Sequence, residues 1–433
     1  MLALLRIAFR NVLVHREHGL LLVLVISGAS ALLVGTLALS TGVATAQRQV
    51  VTTFLSGDLN VGGYFKVHPD TIAPVVGDGG RVRSAITPHL PAECQLRERG
   101  RGFAIVAGLG DRRTQSYMTG LDVVQEKQTL RRFHVKEGSL EALDRRRTVA
   151  LSTQLANRLK VKLGDMSTLF TQTTGGQRNA LDVEVVAITE RAGLLGESAG
   201  ILVSNATLKE LGGYRPEAAG VLQLACEETT DVDALGGRLR EVLRQAGFQV
   251  LPASPEAYGD KLAPLLREGW SGQRLDVSTW KDESSFLSFI TSGFTALTVL
   301  VGVIGLALVL VGLFVSLSVA VSERTREIGT LRAMGMQRTA VVGLFMLEGL
   351  LLGLLASSLG AALSAGLCLL LRDAIPLPDA ISNLLFSGTL PLVPRLGHAV
   401  GAVLLVTLCA AVASLYPAFR ASSLAPRSAM EAL

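Results

Sequence analysis

FLSFITSGFTALTVLVGVIGLALVLVGLFVSLSVAV, residues 286–321, runs for 36 residues without a charge. SERTREIGTLRAMGMQR, residues 322–338, follows and is dense in charge. TAVVGLFMLEGLLLGLLASSLGAALSAGLCLLL, residues 339–371, is apolar again and carries one ionisable group, Glu348. An uncharged run of eighteen or more residues suffices to cross a hydrocarbon layer of about 30 Å. The stretch therefore reads as two membrane helices joined by a short charged connector. As one helix the first run would be about 54 Å long, so part of it must project from the bilayer as a stalk.

The connector has helical grammar. Ser322 can cap it, and Glu323 and Glu327 fall near the positive end of the helix dipole. Ile328, Leu331 and Met334 recur at i, i+3, i+6 as a narrow apolar stripe, and Gly335 supplies a stop. Glu323, Arg324, Arg326 and Arg332 form the charged face. By pattern alone two readings stand: a solvated positive loop, or a helix that docks on something in the cytoplasm.

Outward from this centre, residues 19–47 form another uncharged run, preceded by residues 1–18, an amphipathic surface helix with Arg6, Arg10 and Arg16. Ala44-Thr45-Ala46 has the form of a signal-peptidase site, but the run is far longer than a signal core of roughly 7–15 residues, so it reads as a retained first membrane helix. Residues 372–397 form a proline-bearing loop, residues 398–416 a fourth membrane helix and residues 417–433 a tail. Mean hydropathy of +0.43 and 49% hydrophobic residues fit this count. The third helix carries Gly349, Gly353, Ala356, Gly360 and Ser364 near four-residue spacing, a strip for close helix contact within the subunit or with a second one. Glu348 is an ionisable group inside a membrane helix, a functional candidate or a buried structural partner. Nine Lys and Arg flank one side of these helices against five on the other, which puts both termini and the connector in the cytoplasm.

Residues 48–285 read as one polar α+β domain. Residues 149–152, 181–188, 201–204 and 221–225 have strand character, as do residues 248–251. Short helices are expected near residues 154–160 and 231–246, with a hairpin turn at Thr174-Gly175-Gly176. Residues 48–148 do not subdivide by pattern. Cys94 and Cys226 could bridge in an extracytoplasmic compartment, although two free thiols are favoured. The fold class is thus four transmembrane helices with a large α+β domain between the first and the second.

Several chemistries find no support. There is no G-x-x-x-x-G-K-[ST], so the sequence holds no phosphate cradle, and any ATPase is another polypeptide. Gly196-Glu-Ser198-Ala-Gly200 matches an esterase elbow, but it leads into a strand and has only His398 after it, so it reads as a loop. The histidines at 15, 18, 68, 89, 134 and 398 show no metal-ligand spacing. The net charge of +5 need not imply nucleic acid, since much of it can be membrane-flanking arginine and no nucleic-acid motif is present. No enzymatic activity, cofactor or nucleic-acid partner is expected.

ERTREIGTLRAMGMQR with the apolar helix after it, the tail LYPAFRASSLAPRSAMEAL at residues 415–433, and the start LLRIAFRNVLVHRE together resemble the FtsX/MacB-like ABC transporter permeases. The resemblance implies that the connector is a coupling helix seated on a separate ATP-binding subunit, with Glu323, Arg324, Glu327, Ile328, Leu331 and Met334 at that contact. It further implies an ATPase dimer as partner, with ATP bound there, a second permease subunit, an inner-membrane location and a periplasmic domain. Motion, rather than a pore, would do the work. Among subtypes, lipoprotein release toward the outer membrane is preferred, with a lipoprotein carrier or an adaptor as periplasmic partner. Export by a tripartite pump and FtsX-like control of cell-wall hydrolases are the alternatives. The short turn at residues 172–179 departs from the long hook of the carrier-docking Lol permease.

Overall fold

A computed structural model describes residues 16–68, 71–110, 112–190, 200–323, 336–372, 374–378, 381–382, 385 and 387–423. In chain order these form α1 (Arg16–Phe54), β1 (Leu59–Lys66), α2 (Gly79–Ile86), β2 (Cys94–Ala107), β3 (Arg113–Leu121), β4 (Val135–Gly138) and β5 (Thr148–Ser152). Then come α3 (Thr153–Leu159), β6 (Met166–Gln172), β7 (Arg178–Thr189), β8 (Ile201–Ser204), α4 (Asn205–Gly212), β9 (Val221–Cys226) and α5 (Val232–Gln245). The series ends with α6 (Leu262–Arg267), β10 (Gly272–Thr279), α7 (Ser288–Glu323), α8 (Arg338–Leu371) and α9 (Leu396–Ser423). Contacts divide the chain into two units, one of residues 1–45, 290–378 and 387–433, the other of residues 46–289 and 379–386.

The first unit is helical. Among the described residues four helices are long and apolar enough to cross a membrane, over Leu22–Phe54, Ser285–Ser316, Arg338–Leu371 and Leu396–Phe419. Leu22, Ile26, Val309, Leu313, Phe345, Leu352, Val406 and Ala410 are buried together at their centre. The sequence ended the fourth helix at residue 416; α9 instead continues through Pro417 to Ser423.

The second unit is built on a ten-stranded mixed sheet, ordered β10-β1-β9-β2-β3-β8-β5-β7-β4, with β6 joining β2 and β7. The pairs β3–β8 and β5–β7 are parallel and the others antiparallel. Two lobes share β2. Its first half, from Cys94 to Arg99, pairs with β9; its second half, from Gly100 to Ala107, pairs with β3. In the first lobe α2 and α5 lay Val82, Ile86, Leu235, Leu239 and Leu243 on Leu59, Leu222, Leu224 and Val277. In the second, α3 and α4 bury Leu155, Leu159, Leu208 and Leu211 against Val106, Leu151, Leu169 and Val183. Three of these helices begin where hydroxyl or carboxylate side chains accept orphan N–H groups: Ser152, Ser204 and Asp231 serve α3, α4 and α5.

Two expectations are corrected here. Cys94 and Cys226 are joined in a disulfide, not left as free thiols; they stand opposite one another in the β2–β9 ladder with Cα atoms 4.2 Å apart. Their spacing in sequence concealed a direct cross-strand pair. Residues 248–251 do not make a strand either. Only Val250 bridges Leu275, where the stretch meets the free edge of β10 at that one residue.

Candidate functional site

The apolar stripe of the connector falls outside the described residues, as do Arg324 and Glu327; of Glu323 only its place as the last residue of α7 is described. The Gly196–Ser198 motif also lies outside them, with Gly200 alone described.

The small-residue strip of α8 is used within the chain. A Cβ on Gly353 would stand 2.7 Å from the Ala410 Cβ of α9, and one on Gly349 would stand 2.9 Å from the Ser414 Cβ. A Cβ on Gly360 would run into the Ser27 carbonyl oxygen of α1. Once backbones approach this closely, hydroxyls can reach across. Ser30 Oγ donates to the Ser357 carbonyl at 2.8 Å, and Ser364 Oγ donates to the Ala31 carbonyl at 2.8 Å. In an apolar solvent such bonds and close packing hold helices together where hydrophobic burial cannot. Glu348 is buried in this bundle, at 6% exposure.

Within the second unit, β2 gathers both segments that lead to membrane helices. Its Arg97, Arg99 and Arg101 alternate, so all three guanidinium groups share one face. The last carbonyls of α1 have no helical donor. Arg97 Nη2 donates to Thr52 O at 2.6 Å and to Ser56 O at 2.9 Å, and Arg99 Nη1 donates to Thr53 O at 2.7 Å. A cation at a helix C-terminus is also favoured by the macrodipole. Arg99 in turn pairs with Glu126 at 2.5 Å, with side chains 2% and 3% exposed. Arg48 pairs with Asp58 at 2.8 Å.

Arg101 holds the other segment. Its Nη1 donates to Glu283 Oε2 at 3.4 Å, while Glu283 Oε1 accepts from Ser278 Oγ at 2.6 Å. Glu283 ends the turn Trp280–Glu283, which starts with a reciprocal cap between Thr279 and Asp282 and leads toward α7. The Trp280 N–H donates to Asp58 O at 3.0 Å, joining the two segments.

Burial shapes the ionisation here. It lowers Arg97 to about 10, with neighbouring Arg99 acting in the same direction. Burial also opposes the charge on Arg101, but the Glu283 carboxylate and the surrounding tyrosines outweigh it and the net shift is upward. Burial pushes Tyr117 and Tyr214 up to about 12. It raises Asp276 as well, against the pull of Lys261 3.0 Å away.

None of these arginines was singled out from the sequence. The signal was present as R-x-R-x-R at 97–101, inside the stretch 48–148 that does not subdivide by pattern. No group of three or more metal-ligating side chains occurs among the described residues.

Residues 299–426 match the family model described as FtsX-like permease C-terminal. The macrolide export ATP-binding/permease protein MacB 2 of Yersinia pestis bv. Antiqua is 32% identical over 141 residues, covering 33% of this chain and 19% of the relative. The ABC transporter permease YtrF of Bacillus subtilis is 32% identical over 79 residues, 18% of each chain. The chain thus spans about a fifth of the length of these relatives. Solved structures that resemble it include the periplasmic region of MacB from Actinobacillus actinomycetemcomitans, with TM-score 0.30, 11% identity and coverage of 45% of this chain and 87% of that one. The extracellular domain of the transporter YknZ from Gram-positive bacteria gives TM-score 0.30, 14% identity and coverage of 43% and 94%.

Proposed function

From an FtsX-like permease domain at residues 299–426, we propose that this chain is the membrane subunit of an ABC transporter. ATP bound and hydrolysed by a partner polypeptide moves the connector at residues 322–338. The helices carry that displacement to the sheet domain, which faces away from the ATPase. The carrying observation is the arginine face of β2. It fixes the end of α1 and, through Glu283, the turn leading toward α7, so displacement of either segment is delivered to one strand. Buried charge-assisted bonds make that attachment stiff.

A second permease subunit completes the membrane part, in the bacterial inner membrane with both termini cytoplasmic. Release of an amphiphilic cargo such as a lipoprotein is the reading we put first. Small-molecule export with an adaptor stands beside it, supported by relatives named for macrolide export.

The test is on the connector. Ile328, Leu331 and Met334 enter a groove on the ATPase, and Glu323, Arg324 and Glu327 orient it at the rim. Buried anchors are worth about 2 kcal/mol or more each, and rim charges less. Leu331→Asp with Met334→Asp should weaken ATPase capture at least about 30-fold and abolish transport. Arg324→Ala should be milder. Full transport by the double variant would reduce the connector to a solvated loop and overturn its coupling to an ATPase.

A further inference from the structure

In the second unit the two lobes line an open-mouthed cavity of about 630 Å³ beside β2. That is the size of a small-molecule site, typically about 300–1,000 Å³. Its walls include Phe103, Tyr117, Tyr214, Leu266 and Phe286. Phe103 and Phe286 are 55% and 52% exposed, although each is a large apolar ring. Phe103 meets Tyr117 edge-on with ring centres 5.5 Å apart. The sheet domain gains nothing by holding the Phe103 ring open to water, and an apolar guest would cover it.

One side of the cavity is charged. Arg101 and Glu283 both line it. Glu283 has donors on both oxygens, Arg101 on one and Ser278 on the other. Arg101 is not matched in the same way. It is 6% exposed and lies 3.7 Å over the Tyr258 ring, yet its Nε and Nη2 have no hydrogen-bond partner among the described residues. A buried cation with idle donors calls for an acceptor. The imbalance favours a negative head, because the one carboxylate present is already satisfied.

We propose that this cavity binds a small anionic amphiphile, its apolar body among Phe103, Tyr117 and Phe286 and its carboxylate-like head toward Arg101. Such a ligand could come from the bilayer or from solution. The site stands apart from the transporter reading, because binding needs neither ATP nor a partner.

The chain's only two tryptophans, Trp270 and Trp280, flank this region and allow a direct test. The Trp270 indole donates to the Leu265 carbonyl, next to cavity-lining Leu266, and Trp280 lies in the same turn as Glu283. The full chain in zwitterionic lipid nanodiscs, without nucleotide or ATPase, is titrated with 11-(dansylamino)undecanoic acid. The signal is energy transfer from tryptophan to dansyl, to which probe dissolved in lipid contributes only an unsaturable background.

Saturable transfer is expected. Ala263→Phe, an exposed position on the cavity wall, should weaken it at least tenfold, and Phe103→Ala severalfold, both with unchanged thermal unfolding. The methyl ester of the probe should bind at least tenfold more weakly than the acid. No saturable transfer, or transfer indifferent to Ala263→Phe, would overturn the site. Equal binding of ester and acid would overturn the anionic head. Repeating the titration with anionic lipid in the disc separates the sources: loss of probe binding assigns the cavity to membrane lipid, and unchanged binding to soluble amphiphiles. Either result leaves the amphiphile site standing.

Discussion

Replacing Arg99 with methionine tests the attachment of α1 to β2 most directly. Methionine fills most of the same volume without the charge. Two losses follow: the donor to the Thr53 carbonyl at 2.7 Å, and the paired contact with Glu126. Glu126 is then a 3% exposed carboxylate whose nearest remaining cation is Arg97, at 3.7 Å. Breaking a buried pair from one side costs about 3–5 kcal/mol, and Arg97 keeps the figure near the lower end. For a domain of this size about 3 kcal/mol corresponds to a fall of roughly 6–12 °C in Tm. The assay is thermal unfolding of the full chain in detergent. Arg99→Met with Glu126→Leu should recover much of the loss, because an apolar pair replaces an orphaned charge. Recovery should stay incomplete, since the Thr53 carbonyl still lacks its donor. A single variant within 1 °C of the parent, or a double variant no better than the single, would refute the reasoning.

Gly353→Leu should cost about 1–3 kcal/mol by forcing α8 from α9, read as a lower Tm and as loss of cysteine crosslinking between those helices. Gly360→Ala should loosen α8 from α1 and reduce crosslinking of cysteines placed at Ser30 and Ser357. The Tyr117 and Tyr214 protons are held more tightly in the folded state, at about 12 against an ordinary 10.0. Stability from these groups is therefore complete below pH 10 and lost as pH rises through about 12. The urea midpoint of the domain should fall between pH 10 and about 12, with late phenolate absorbance; an unchanged midpoint would contradict the burial. Alkylation under non-reducing conditions should leave Cys94 and Cys226 unmodified, and replacing both with alanine should cost about 2–5 kcal/mol.

The membrane half was legible because its signal is composition over long windows. An uncharged run in residues 286–321 has few meanings, and the strip from Gly349 to Ser364 announces close contact before any partner is known. What the strip could not say is which helix it meets, since small residues are permissive toward all neighbours. The strands at residues 149–152, 181–188 and 201–204 were also visible, because alternation or short apolar runs are local properties. Residues 48–148 resisted reading for a physical reason. The first half of β2 buries arginines rather than aliphatic residues, so its alternation is one of charge and leaves no hydrophobic period. Its pairing with Glu126 and with the end of α1 is set by tertiary contact alone. The disulfide was hidden in the same way: a separation of 132 residues says nothing of register.

The position of β1 has a consequence for biosynthesis. This strand is buried almost throughout, yet its two neighbours, β9 and β10, are the last strands of the domain to be made. Asn60 donates to the Ser278 carbonyl 218 residues further on. At ribosomal elongation rates of about 5–20 residues per second, β1 waits some 11–44 s for that partner. During this interval Leu59, Val61 and Tyr64, which end buried, stand in a strand with nothing to pair with. The second lobe, whose strands follow one another closely, can close first. The domain therefore assembles from its middle outward, and the segment that joins it to the first membrane helix is the last to become rigid.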